Sequence, residues 1–249
     1  MAQAIYNPWV DDLRSDTDAV RLFCFPHAGG SSFQFRAWQL GTRMQVTPIH
    51  LPGRGKRITE NPVSNLRRLA KEVFNGVSSE FHSPFCLFGH SMGALLAFEV
   101  ARLASARQIP PEYLFVAGAK APHLRTLPRR TYDLPEAEFL QEIHKLNGMP
   151  REVLENEELL SLVVPILRAD FQAVDTYTFL SGEPPLTCPI AAFGGLEDPL
   201  VPEQDLRAWR QHTTREFSSL LLPGDHFFVN TAYLQLTAEI ARLFQQNRP

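Results

Sequence analysis

Five residues constrain this chain more than any other feature: Gly89-His90-Ser91-Met92-Gly93. They follow the apolar run Phe85 to Phe88 and precede a helical pattern beginning near Ala94, so within them a strand has to turn into a helix. A G-x-S-x-G string in that setting is a nucleophile elbow, a turn so tight that it strains its serine and requires small residues at both ends. The serine oxygen then stands at the C-terminal edge of a sheet. Beside it the helix start presents free N–H groups and the positive end of its dipole. Ser91 is therefore the candidate nucleophile, and the Met92 N–H is the first candidate oxyanion donor.

The elbow needs a sheet, and the chain supplies one. Short β-rich runs at Val20 to Phe25, Gln45 to His50, Phe85 to Phe88, Tyr113 to Ala117, Ile190 to Phe193 and Ser218 to Leu222 are apolar enough to be covered on both faces. Between them helical faces recur at Leu66, Leu69, Val73 and Val77, at Leu96, Val100 and Leu103, and at Tyr233, Leu236, Ile240 and Leu243. Such alternation predicts a mostly parallel, doubly wound α/β sheet. At 249 residues the chain fits one domain, 1–249. Only 122–185 breaks the rhythm, with two helical patterns in succession and no strand between them. The second has an apolar stripe at Leu160, Val164, Leu167, Phe171 and Val174, and Pro165 is expected to kink or break it. A helical lid over a pocket is expected here in preference to a plain packing layer.

A serine nucleophile needs a base and an orienting acid. Asp198 lies in a loop after the run Ile190 to Phe193, and His226 in a loop after Ser218 to Leu222, so both stand at strand C-terminal ends. The order Ser, Asp, His is that of the α/β hydrolases. Asp198 is preferred as the acid over its neighbour Glu197, and His90, adjacent to the serine in the elbow, is read as a packing or hydrogen-bonding group. The loop Pro26-His27-Ala28-Gly29-Gly30 follows the first strand, and its small residues allow backbone to approach the nucleophile. The Ala28 N–H is the second candidate oxyanion donor.

Other chemistries find little support. With 24 basic against 27 acidic residues the net charge of −3 gives no global attraction to nucleic acid or an anionic membrane. The longest uncharged stretch, Ser83 to Phe98, is shorter than the ~20 apolar residues of a membrane span. Gly53-Arg54-Gly55-Lys56 is no phosphate loop, since His50 and Arg57 stand where glycine and Ser or Thr are required. No dinucleotide fingerprint and no metal-ligand spacing of histidines is found, so neither cofactor nor metal is expected. Cys24, Cys86 and Cys188 read as buried free thiols. Met1 to Asp16 has no signal-peptide pattern, which makes the cytoplasm the expected compartment; a monomer is expected.

The His27-Ala28-Gly29-Gly30 loop, Leu51-Pro52-Gly53-Arg54, the elbow, and Pro165-Ile166-Leu167-Arg168-Ala169-Asp170-Phe171 occur together over Arg21 to Phe244. In that combination the chain resembles the type II thioesterases of polyketide and nonribosomal peptide synthesis. The resemblance implies an α/β-hydrolase fold with a helical lid. It also implies removal of stalled or wrongly loaded acyl groups from the phosphopantetheine arm of acyl- or peptidyl-carrier proteins. That arm comes with the substrate. Carrier proteins of such systems are usually acidic, so a basic docking patch is expected from Arg54, Lys56 and Arg57 or from Arg125, Arg129 and Arg130. A general serine esterase and a catalytically inactive binding partner are the alternatives.

Overall fold

The computed structural model describes residues 7–11, 19–41, 43–81, 84–125, 130–146 and 156–246. Among the described residues there are six strands: β1 Val20–Phe25, β2 Met44–Pro48, β3 Phe85–His90, β4 Tyr113–Ala117, β5 Ile190–Gly195 and β6 Phe217–Leu222. They form one sheet in the order β2-β1-β3-β4-β5-β6, and every neighbouring pair is parallel. All residues of β3, β4 and β5 are buried, as continuous apolar runs require. The edge strands β2 and β6 are only partly covered, with Leu220 of β6 exposed, so the expectation of full coverage fails there.

The period-two alternation of the strands sorts side chains into two layers. In β1, Phe23 and Phe25 enter one core cluster and Leu22 and Cys24 the other. On the first face lie helices α1 Leu66–Val77 and α2 Met92–Ala106. Helix α1 begins where the Asn65 side chain accepts the Arg68 N–H, and its stripe Leu66, Leu69, Val73 and Val77 is buried. Full burial of each such side chain contributes about 1.5–3 kcal/mol. The second face is covered by the C-terminal helix Tyr233–Gln246 through Leu236, Ile240 and Phe244, together with Phe35 and Trp38. The three cysteines are free and buried, and burial raises the Cys188 thiol to about 12.

Between β4 and β5 no strand occurs among the described residues of 122–185. This segment holds helix α3 Glu136–Lys145 and helix α4 Glu157–Asp175, preceded by short turns at Pro122–Leu124 and Thr131–Asp133. Of the expected kink or break, the break does not occur, since α4 runs on through Pro165. Pro165 is exposed, so the carbonyl that its missing N–H would have served lies toward the solvent side, while Val164, Ile166 and Leu167 are buried around it. Phe139, Ile143 and Leu167 form a separate small core that joins α3 to α4. The remaining helices are α5 Glu203–Arg207, α6 Phe228–Thr231 and the C-terminal α7 Tyr233–Gln246. Among the described residues no helix is long and apolar enough to cross a membrane.

Candidate active site

Ser91 sits between the end of β3 and the first residue of α2 with φ 56° and ψ −114°, a conformation that L-residues adopt only under constraint. Its N–H donates to the Ala117 carbonyl of β4 at 2.8 Å, which ties the strained turn to the sheet. The flanking glycines are required by close approach. A Cβ at Gly89 would stand 2.0 Å from the Gly93 carbonyl oxygen, and one at Gly93 would stand 2.2 Å from that of Phe25. The same tightness brings the loop after β1 against the elbow.

The structure brings Ser91, His226 and Asp198 together. His226 Nε2 lies 3.0 Å from Ser91 Oγ, and His226 Nδ1 lies 2.8 Å from Asp198 Oδ2. A carboxylate only accepts, so Nδ1 carries the imidazole proton and Nε2 accepts from the serine hydroxyl. The Asp198 side chain is fully buried, and its other oxygen accepts the Leu200 N–H at 2.8 Å. Glu197 points elsewhere: it is exposed and accepts the Gly224 N–H at 2.6 Å, clamping the turn ahead of the histidine. The three groups arrive from the C-terminal ends of β3, β5 and β6.

Two neutral histidines lie beside this chain of hydrogen bonds, His90 bonded to His226 and His27 packed against His90. His90 Nε2 donates to the His226 carbonyl at 2.8 Å, while its Nδ1 lies 3.2 Å from the Gln34 amide nitrogen. Burial, with His27 and His226 nearby, holds its imidazole well below the usual range, so it stays neutral. His27 is pushed down to about 4, mainly by burial, and its Nδ1–H donates to the Ala28 carbonyl at 2.9 Å.

A cavity of about 550 Å³ opens beside Ser91. Ala28, Met92 and His226 line it together with the serine, and so do Leu124, Phe171 and Val174 from the 122–185 segment. Both candidate oxyanion residues thus border the space in front of the nucleophile. Leu167, placed by its spacing on the same stripe, packs instead against Phe139 and Ile143 and against Gly29.

Two of the six basic residues expected at a docking patch are buried in ion pairs. Arg54 and Arg57 are buried, Arg54 against Asp170 and Arg57 against Glu60, with the Arg57 guanidinium 3.8 Å from the centre of the Trp9 ring. Lys56 pairs with Asp11 and Arg130 with Asp133 at the surface, Arg125 is partly buried and donates to the Val174 carbonyl, and Arg129 lies outside the described residues. The partner of Arg54 had a signal in the sequence. Asp170 stands three residues after Leu167 and four before Val174, on the apolar side of its helix, where a carboxylate needs a cation.

Residues 20–246 match the thioesterase domain family. The chain belongs to that family. It is 40% identical over 227 residues to the gramicidin S biosynthesis protein GrsT of Aneurinibacillus migulanus, covering 90% of this chain and 88% of that protein. To the thioesterase PikA5 of Streptomyces venezuelae it is 37% identical over 90% of this chain and 80% of the other. Among solved structures, the type II thioesterase BorB from the borrelidin biosynthetic cluster superposes with a TM-score of 0.88 at 34% identity, over 97% of this chain and 99% of that one. The thioesterase RedJ from the prodiginine pathway of Streptomyces coelicolor gives 0.83 at 38% identity, over 90% and 85%. This thioesterase is thus an α/β-hydrolase-fold hydrolase acting on thioesters. It stands with the type II enzymes of polyketide and nonribosomal peptide synthesis, as its motifs implied.

Proposed function

We propose that this thioesterase clears stalled or wrongly loaded acyl groups from the phosphopantetheine arms of acyl- or peptidyl-carrier proteins, with Ser91, His226 and Asp198 as its catalytic triad. The observation that supports the chemistry is the unbroken hydrogen-bonded chain from Ser91 Oγ through His226 to buried Asp198. Ser91 Oγ attacks the thioester carbonyl while His226 Nε2 takes its proton, and Asp198 holds the tautomer and stabilises the imidazolium. The Ala28 and Met92 N–H groups receive the oxyanion. The tetrahedral intermediate expels the thiolate, which leaves as the thiol with the proton from His226. A water then gives a proton to His226 and attacks the acyl-serine, and the free acid is released as Ser91 regains its hydrogen.

No cofactor of its own enters this sequence, since the pantetheine arrives with the carrier. The 122–185 segment acts as a lid, its residues Leu124, Phe171 and Val174 forming the wall along which an acyl chain lies. Buried free thiols suit the reducing cytoplasm, where the enzyme works as a monomer meeting carriers transiently.

Hydrolysis of a panel of acyl-loaded carrier proteins, compared with free acyl-pantetheine thioesters and p-nitrophenyl esters, tests the reading. The expected result is a higher kcat/KM on carrier-bound acyl groups. Equal or better turnover of simple esters identifies a general esterase instead, and failure of a fluorophosphonate to label Ser91 identifies an inactive binding partner.

A further inference from the structure

Two of the motifs that mark this chain meet in space with no part yet in the chemistry. Arg54, from the loop after β2, and Asp170, from the middle of α4, form a two-pronged ion pair in which the arginine side chain is 6% and the aspartate 0% exposed. Asp170 Oδ2 also accepts the Gly29 N–H at 2.7 Å. The peptide between Ala28 and Gly29 is therefore pinned at both ends, its carbonyl by the His27 Nδ1–H at 2.9 Å and its N–H by the carboxylate. The Gly30 N–H donates to the His27 carbonyl at 2.9 Å, and the Arg54 guanidinium reaches the Gly30 carbonyl at 3.4 Å. Gly29 has φ +75°, and a Cβ there would lie 2.4 Å from Leu167 of α4, so the helix rests directly on this loop.

Stability alone does not account for charges in this place. A buried ion pair gains little over well-packed apolar side chains of similar volume, because desolvation offsets most of the attraction. What an apolar pair could not do is accept the Gly29 N–H. An oxygen acceptor at the loop is needed for that, and the carboxylate serves the Gly29 N–H and both guanidinium nitrogens at once, its burial in turn requiring the arginine.

We propose that Arg54–Asp170 is a positioning pair for acyl transfer, which fixes the 26–30 loop so that the Ala28 N–H faces the oxyanion and thereby couples the seating of α4 to assembly of the oxyanion hole. The proposal rests on Ser91 as nucleophile and Ala28 as oxyanion donor. When α4 lifts, the carboxylate leaves Gly29 and the loop loses its anchor, so turnover requires the seated helix.

The test uses a free acyl-pantetheine thioester, which removes carrier docking from the measurement. Asp170→Asn keeps the shape and loses the charge. Per site titrated to completion with a fluorophosphonate, kcat should fall ~10- to 100-fold with KM within about twofold, less than the loss of a whole oxyanion donor would give. Affinity for an acyl trifluoromethyl ketone, whose adduct with Ser91 places an oxyanion in the hole, should fall in parallel with kcat. Arg54→Lys, which keeps the charge without the fork, should lie between wild type and Asp170→Asn, and it is read by the same measurements where Asp170→Asn does not fold. A lower melting temperature with unchanged kcat per site and unchanged ketone affinity makes the pair purely structural and overturns the proposal. Loss confined to KM overturns it as well. Ser91→Ala in the same assay separates the two readings: turnover surviving there sinks the nucleophile assignment itself.

Discussion

His226 is held at three points: by Asp198 at Nδ1, by Ser91 at Nε2 and by the His90 N–H at its own carbonyl. Groups fixed in this way act as a unit, so their substitutions should not add. Ser91→Ala should leave the melting temperature nearly unchanged and lower thioester kcat by ~10⁴-fold or more, with His226→Ala close behind and the double variant no worse. Asp198→Asn should cost on the order of 10⁴-fold by favouring the wrong imidazole tautomer. Glu197→Gln loosens only the Gly224 turn, and a change under about tenfold is expected for a group outside the proton path. Steady-state kinetics on the Asp198→Asn and Glu197→Gln variants decides between the two acids. A collapse with Glu197→Gln while Asp198→Asn stays active would reverse the assignment.

At the scale of the helix, α4 has two kinds of apolar residue on one stripe. Phe171 and Val174 border the cavity, Phe171 at the edge of the small core with its ring T-shaped against Phe139, whereas Leu167 is buried within that core with Phe139 and Ile143. Phe171→Asn should therefore weaken long acyl thioesters more than acetyl, the difference growing toward ~0.8 kcal/mol for each methylene that lies against the ring. Leu167→Ala should instead lower stability by about 2–5 kcal/mol, the usual range for a buried leucine, and reduce activity on all chain lengths alike. A chain-length series of kcat/KM beside urea denaturation separates the two. Equal losses across the series for Phe171→Asn would remove it from the acyl wall.

For the molecule as a whole, buried neutral histidines set the acid limit of the fold. Burial, assisted by His123 and Arg102, pushes His212 down to about 4; His27 lies at a similar value, and His90 is well below its ordinary range. In the unfolded chain the same imidazoles take up protons near pH 6.5. Between about 6.5 and about 4 the unfolded state therefore holds more protons, and stability falls as the pH falls through that window, by ~1.4 kcal/mol per pH unit for each proton. Urea denaturation from pH 7 to pH 5 should give a slope approaching two to three protons, and His212→Gln should reduce it by about one. A flat profile, or a slope that His212→Gln leaves unchanged, would mean that these rings are already protonated in the fold.

Local chemistry was enough to determine much of this protein from its sequence. An elbow flanked by glycines has one geometry available to it, apolar runs of five or six residues have to be covered strands, and an acid and a histidine after later strands fall on the same sheet edge as Ser91. Strand ends moved by only one or two residues, as at Met44 and Gly195. What tertiary structure alone decided was which charges are paired and which apolar residues face the cavity. Arg54 and Arg57 look like surface cations when read along the chain, yet Asp170 lies 116 residues from Arg54, and its place on an apolar stripe calls for a cation without saying which. Leu167 and Phe171 share a stripe by spacing and both meet Phe139, and only the packing of α3 against α4 buries Leu167 within that small core while leaving Phe171 at its edge, where it also lines the cavity. Periodicity fixes the side of an element on which a residue lies; the partner it meets there depends on long-range packing.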